Sequence, residues 1–164
     1  MREQALTAPA RLRRRLHRLW QLPATHRWLL LQALVAVPAL RILLRAAGLR
    51  RVHAVLSRSA APRSARRADP RWSTPQGVQA AVTIVDMAAR CSPLSNTCLH
   101  RSLALWWLLS RRGVDCQIRL GARRNDARFD AHAWIEYNGS IINDDTRRIQ
   151  EYVPLAWHPA DRLP

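Results

Sequence analysis

The dipeptide Asn138-Gly139 lies between two alternating apolar segments, Ala131–Tyr137 and Ser140–Asp144, and it is the feature that most restricts the fold. Asn-Gly in that setting predicts a two-residue hairpin turn. The C-terminal part of the chain must then contain an antiparallel sheet whose register the turn dictates. Tyr137 would pair with Ser140, which puts His132 opposite Asp145 and Asp144 opposite Ala133.

The segments before the hairpin supply the rest of an α+β arrangement. Val114–Leu120 alternates as a strand, with Cys116, Ile118 and Leu120 on one side, and a polar loop over Gly121–Asp130 is expected after it. Upstream, Cys98–Arg112 reads as a helix with Leu99, Leu103, Trp106, Trp107 and Leu109 on its apolar surface. Asn96 or Thr97 would cap its start, and Arg111-Arg112-Gly113 would end it. Gln76–Arg90 is a second helix with Val78, Ala81, Val82, Val85 and Ala88 along one face.

Nearer the N-terminus the composition changes. Residues 57–75 are rich in Ser, Ala, Pro and Arg, which is linker composition. Trp28–Leu40 is an uncharged run of thirteen residues, short of the roughly 18–20 needed to cross a bilayer, and Pro38 would bend a helix there. A buried or interfacial helix is expected, and no cleavage pattern of a signal peptide follows it. Residues 1–27 are basic, with Leu12, Leu16, Trp20 and Leu22 near helical spacing. The organisation expected is therefore a basic, apolar helical extension over 1–57, a linker over 58–75 and an α+β domain over 76–164.

Charge follows the same division. All 27 basic residues are Arg, against 11 acids. Residues 1–68 carry +14 of the net +16, and 69–164 carry only +2. Such an excess attracts acidic partners, whether a peptide, a protein, anionic lipid or nucleic acid. No zinc spacing, RNA-binding signature or helix-turn-helix accompanies it, so nucleic acid is not expected as the partner. Three cysteines, Cys91, Cys98 and Cys116, are too few for a disulfide framework and suggest a reducing cytoplasm. No metal and no other cofactor is expected, because the histidines are not arranged to ligate zinc.

Cys98 opens a helix, where unpaired N–H groups and the macrodipole favour an anion, and the thiolate is the nucleophilic form of cysteine. His132 lies on the strand such a helix would pack against, so it can serve as base. An acceptor for the imidazole should come from across the hairpin. Strict register puts Asp145 there, and a bulge or strand end near Asn143 would bring Asp144 instead. Asn143, Asp144 and Asp145 all remain open on pattern alone. Cys91 and Cys116 read as structural, His100 as a surface side chain, the Trp residues as core, and Glu136 as a solvated strand charge.

Cys98-Leu-His-Arg-Ser-Leu-Ala-Leu105, then Ile118–Arg123, Phe129-Asp-Ala-His-Ala-Trp-Ile-Glu136 and Asn143-Asp144, together resemble the lasso peptide biosynthesis B2 proteins. These are leader peptidases of the transglutaminase-like superfamily, and the resemblance covers roughly 76–153. It implies a transglutaminase-like, papain-like core, with Cys98 as nucleophile, His132 as base and Asp144 as third member. It also implies a cut at the leader–core junction of a ribosomally made precursor peptide, which frees an amine for an ATP-using lasso cyclase. His100 stands where many relatives carry Pro. Residues 1–75 lack the strand alternation of the winged-helix domain found in fused relatives, so a separate leader-binding winged-helix protein is expected to deliver substrate. The basic N-terminal segment could dock that partner, the cyclase or a membrane surface. Two other readings differ in class: a transglutaminase-like acyltransferase, and a non-catalytic basic scaffold on a membrane or nucleic acid.

Overall fold

The computed structural model describes residues 23–64, 69–92, 94, 96–125 and 128–155. The basic stretch up to residue 22, with its spaced leucines, lies outside them. In chain order the elements are α1 (Ala24–Ser64), α2 (Pro75–Cys91), α3 (Cys98–Ser110), β1 (Gln117–Asn125), β2 (Arg128–Tyr137), β3 (Ser140–Ile141), α4 (Thr146–Ile149) and β4 (Val153–Pro154). The strands form one antiparallel sheet in the order β3-β2-β1-β4.

Asn138 and Gly139 have φ of 48° and 74°, both in the left-handed region that a tight hairpin of this kind requires. Tyr137 pairs with Ser140 and Glu136 with Ile141, as the turn dictates. Strand boundaries differ from expectation at both ends of β1, at the start of β2 and at the end of β3, and β1 begins at Gln117 rather than Val114. The stretch Gly121–Asp130 is mostly strand, because β1 continues to Asn125 and β2 starts at Arg128. Apolar alternation could not reveal this extension. It is held partly by polar contacts, with Arg123 Nε donating to Asp130 Oδ2 at 3.1 Å across the pair. β3, in contrast, stops at Ile141 rather than running to Asp144.

The sheet separates two clusters. On one face Ile118 and Ile135 join the helical core, built from Leu29, Val37 and Leu56 of α1, Val78, Val82 and Val85 of α2, and Leu105, Leu108 and Leu109 of α3. On the other, Trp134 packs with Ile149 and Tyr152. Gly121 permits this second cluster, since a Cβ there would lie 2.8 Å from the Trp134 ring. α2 begins as its sequence suggests, with Thr74 Oγ1 accepting from Gly77 N–H at 3.1 Å and Pro75 in the first turn. Gly113, at φ 76°, turns the chain out of α3 toward β1.

α1 departs from the sequence reading in two ways. It passes through Pro38 as helix and breaks at Gly48 (φ 74°, ψ 163°), where a missing Cβ makes the left-handed backbone inexpensive. It also runs to Ser64, well into the stretch whose composition suggests a linker. Ala and Arg are good helix formers, and tertiary contacts hold this end: Ala60 is buried and Trp107 Nε1 donates to Ser59 Oγ at 2.8 Å. The opposite face of α1 leaves Trp28, Leu31, Val35, Leu43 and Val55 exposed, around an apolar groove of about 630 Å³, and Ile42 is exposed as well. By length and composition Ala24–Ala60 could cross a membrane, with mean hydropathy 1.8 in its most apolar window and 33% of that window buried inside the structure.

Candidate active site

Cys98 is the first residue of α3 and follows the cap residue Thr97. His100 completes the helix start, because its Nδ1 accepts the Thr97 N–H at 3.0 Å. It does the work that Glu or Gln usually does at this third position. Burial, and then the charge of Arg41, hold the His100 imidazole below its ordinary pKa, which keeps Nδ1 free to accept. Its place is therefore in the helix cap, a role that surface placement would not have suggested.

His132 is buried on β2, beside Trp134 and with its ring centroid 5.1 Å from that of Tyr152. Its Nε2 lies 2.6 Å from Asp144 Oδ2. An ionised carboxylate can only accept, so Nε2 carries the proton and Nδ1 is left as the acceptor. Burial pushes the Asp144 carboxyl up. The Asp145 backbone N–H, the His132 hydrogen bond and the charges of His132 and Arg148 outweigh it, and the carboxyl stays below its ordinary value. Cys98, His132 and Asp144 line one cleft of about 280 Å³, together with Ser102, Ala131, Ala133 and Asn143.

The three consecutive side chains that hairpin register left open each have a separate partner. Asn143 Oδ1 accepts the Ile135 N–H at 2.7 Å. Asp144 takes His132. Asp145 caps α4, accepting from the Arg147 N–H at 2.9 Å. The chain leaves the ladder after Ile142, whose N–H still reaches the Ile135 carbonyl at 3.1 Å, and this exit turns Asp144 toward His132.

Around the cleft, Tyr152 Oη donates to Asp130 Oδ2 at 2.7 Å, and the Tyr152 hydrogen bond, followed by Arg123, holds Asp130 below its ordinary pKa despite burial. Glu136 is engaged rather than merely solvated, receiving Arg119 Nε at 3.0 Å and Trp134 Nε1 at 3.1 Å. Cys116 is buried, which pushes its thiol up to about 12, and Cys91 is exposed at the end of α2. Among the described residues no group of three His, Cys, Asp or Glu side chains is placed to hold a metal ion.

A helix opening on cysteine, packed on an antiparallel strand bearing a carboxylate-paired histidine, is a recognisable architecture, and a family model described as the transglutaminase-like superfamily matches residues 31–156. The chain belongs to the transglutaminase-like superfamily. The match begins inside α1, so most of the long helix lies within the matched region. No curated protein and no solved structure gives a match. The sheet is short at both edges, where β3 and β4 are two residues each, and Asn143 and Asp144, just beyond β3, line the cleft beside β2.

Proposed function

We propose that this chain is a cysteine peptidase that removes the leader from a ribosomally made lasso peptide precursor. One observation carries the reading: His132 Nε2 sits 2.6 Å from Asp144 Oδ2 in the cleft that also holds Cys98. That pairing leaves Nδ1 to take the thiol proton. Cys98 Sγ then attacks the carbonyl at the leader–core junction, and the oxyanion is met by N–H groups at the start of α3. The imidazolium returns its proton to the departing amine, leaving a thioester. Water, deprotonated by His132, attacks that thioester and releases the leader with a free carboxylate. The motif around Cys98 and His132 supports a peptide precursor as substrate, with a separate leader-binding winged-helix protein presenting it and a lasso cyclase using the freed amine.

The same reading gives α1 a peripheral role. Its exposed apolar residues Trp28, Leu31, Val35 and Ile42 are accompanied by exposed Arg45, Arg50, Arg51 and Arg58. Apolar bulk with cations beside it suits an anionic lipid surface. To test the activity, precursor, leader-binding protein and this chain are incubated and the products weighed by mass spectrometry. Leader carrying a new carboxylate is expected. Leader attached to an added amine, with no hydrolysis product, would instead favour acyl transfer.

A further inference from the structure

The three reacting side chains come from three elements: Cys98 from α3, His132 from β2 and Asp144 from the segment after β3. Holding them together to within fractions of an ångström needs a link among those elements. The unpaired edge of β2 supplies the place. Since β3 ends at Ile141, two backbone groups of β2, the Ile135 N–H and the Ala133 carbonyl, lack a ladder partner on that side, and buried backbone groups must find one elsewhere.

Two side chains fill the gap. Ile135 N–H donates to Asn143 Oδ1 at 2.7 Å, Asn143 Nδ2 donates to Ser102 Oγ at 2.8 Å, and Ser102 Oγ donates to the Ala133 carbonyl at 2.9 Å. The chain of bonds begins and ends on β2, and its direction settles which way the Asn143 amide faces. Ser102 has no measurable exposure. A serine inside a helix commonly bonds the carbonyl four residues back, here that of Cys98, yet this one reaches across to the strand. Each member also adjoins a reacting residue: Ser102 is one turn after Cys98, Ala133 follows His132, and Asn143 precedes Asp144.

We propose that Ser102 and Asn143 are positioning residues, a hydrogen-bonded bridge that sets the Cys98–His132–Asp144 geometry; this rests on the peptidase reading above. The test uses full-length protein with Ser102→Ala, Ser102→Thr and Asn143→Ala. Two readouts are followed: precursor cleavage, and the pH dependence of Cys98 alkylation by iodoacetamide, resolved from Cys91 by peptide mass. Ser102→Ala and Asn143→Ala are expected to lower kcat by roughly tenfold to a hundredfold with KM little changed. Both should move the alkylation profile toward that of His132→Ala, and Ser102→Thr, which keeps the hydroxyl, should recover much of the loss. Wild-type kcat and profile in folded Ser102→Ala and Asn143→Ala would overturn the bridge. If Ser102→Ala does not fold, Asn143→Ala decides, because it leaves the Ser102–Ala133 bond in place. The two readings fail separately. An alkylation profile insensitive to His132→Ala rejects the peptidase reading itself, whereas one sensitive to His132 but indifferent to Ser102 and Asn143 rejects only the bridge.

Discussion

Asp144 and Asp145 are adjacent in sequence but face different tasks: Asp144 Oδ2 lies 2.6 Å from His132 Nε2, while Asp145 Oδ1 accepts the Arg147 N–H at 2.9 Å and caps α4. The division predicts opposite results from neighbouring substitutions. Asp144→Ala should cut kcat by roughly a hundredfold or more, since the imidazole loses the acceptor that fixes its tautomer. Asp145→Ala should leave kcat near wild type and cost about 1 kcal/mol of stability, the usual worth of a cap. Steady-state kinetics and urea unfolding on the two variants check this.

Asp144 also predicts a pH dependence of stability. Its folded pKa lies below the ordinary 3.8, chiefly because the Asp145 N–H and His132 outweigh burial. A carboxyl with a depressed folded pKa contributes stability that is present above its unfolded value and is lost as pH falls through the folded one. The stability difference between wild type and Asp144→Asn, measured by urea unfolding, should therefore shrink as pH is lowered through and below 3.8. A difference that stays constant or grows over that window contradicts the assignment.

The thiols should separate by reactivity. Cys116, buried and with its pKa pushed up to about 12, should resist alkylation in the folded protein at neutral pH. Cys98 and the exposed Cys91 should both react. Peptide mapping after brief iodoacetamide treatment reads this, and prompt labelling of Cys116 under native conditions counts against the packing of the segment leading into β1 in the helical core.

Gly121→Ala should destabilise the domain by about 1–3 kcal/mol, the range for overpacking. Its Cβ would come within 2.8 Å of the Trp134 ring, and Trp134 has little room to move at 1% exposure. Thermal unfolding of the variant gives the answer.

The lipid-facing role proposed for α1 predicts co-sedimentation with vesicles rich in phosphatidylglycerol, weakened by added salt and by Leu31→Glu with Val35→Glu. Both residues are exposed, so the fold should tolerate the change. Equal pelleting with uncharged vesicles, or none at all, removes this role.

Much of the site could be read from sequence because strong local signals surround it. Asn138-Gly139 carried the hairpin register, and α3 was marked by its apolar spacing and by Gly113. What escaped depends on tertiary contacts. Alternation cannot reveal strands like the distal parts of β1 and β2, where ion pairs such as Arg123–Asp130 contribute, and composition cannot distinguish an Ala- and Arg-rich linker from the end of α1. Nor can register choose Asp144 over Asp145, since the exit from the ladder depends on the Asn143 amide replacing a backbone partner. A serine one turn after Cys98, set among Leu99, Leu103 and Leu105, was the available hint of that network.

The central claim is that Cys98 is a nucleophile activated by His132. The most direct measurement compares precursor cleavage by wild type, Cys98→Ala and His132→Ala, each with the leader-binding protein present and products read by mass spectrometry. Cleavage by wild type alone, with both variants slower by roughly a thousandfold or more, is the predicted result. Equal cleavage by all three proteins would contradict it.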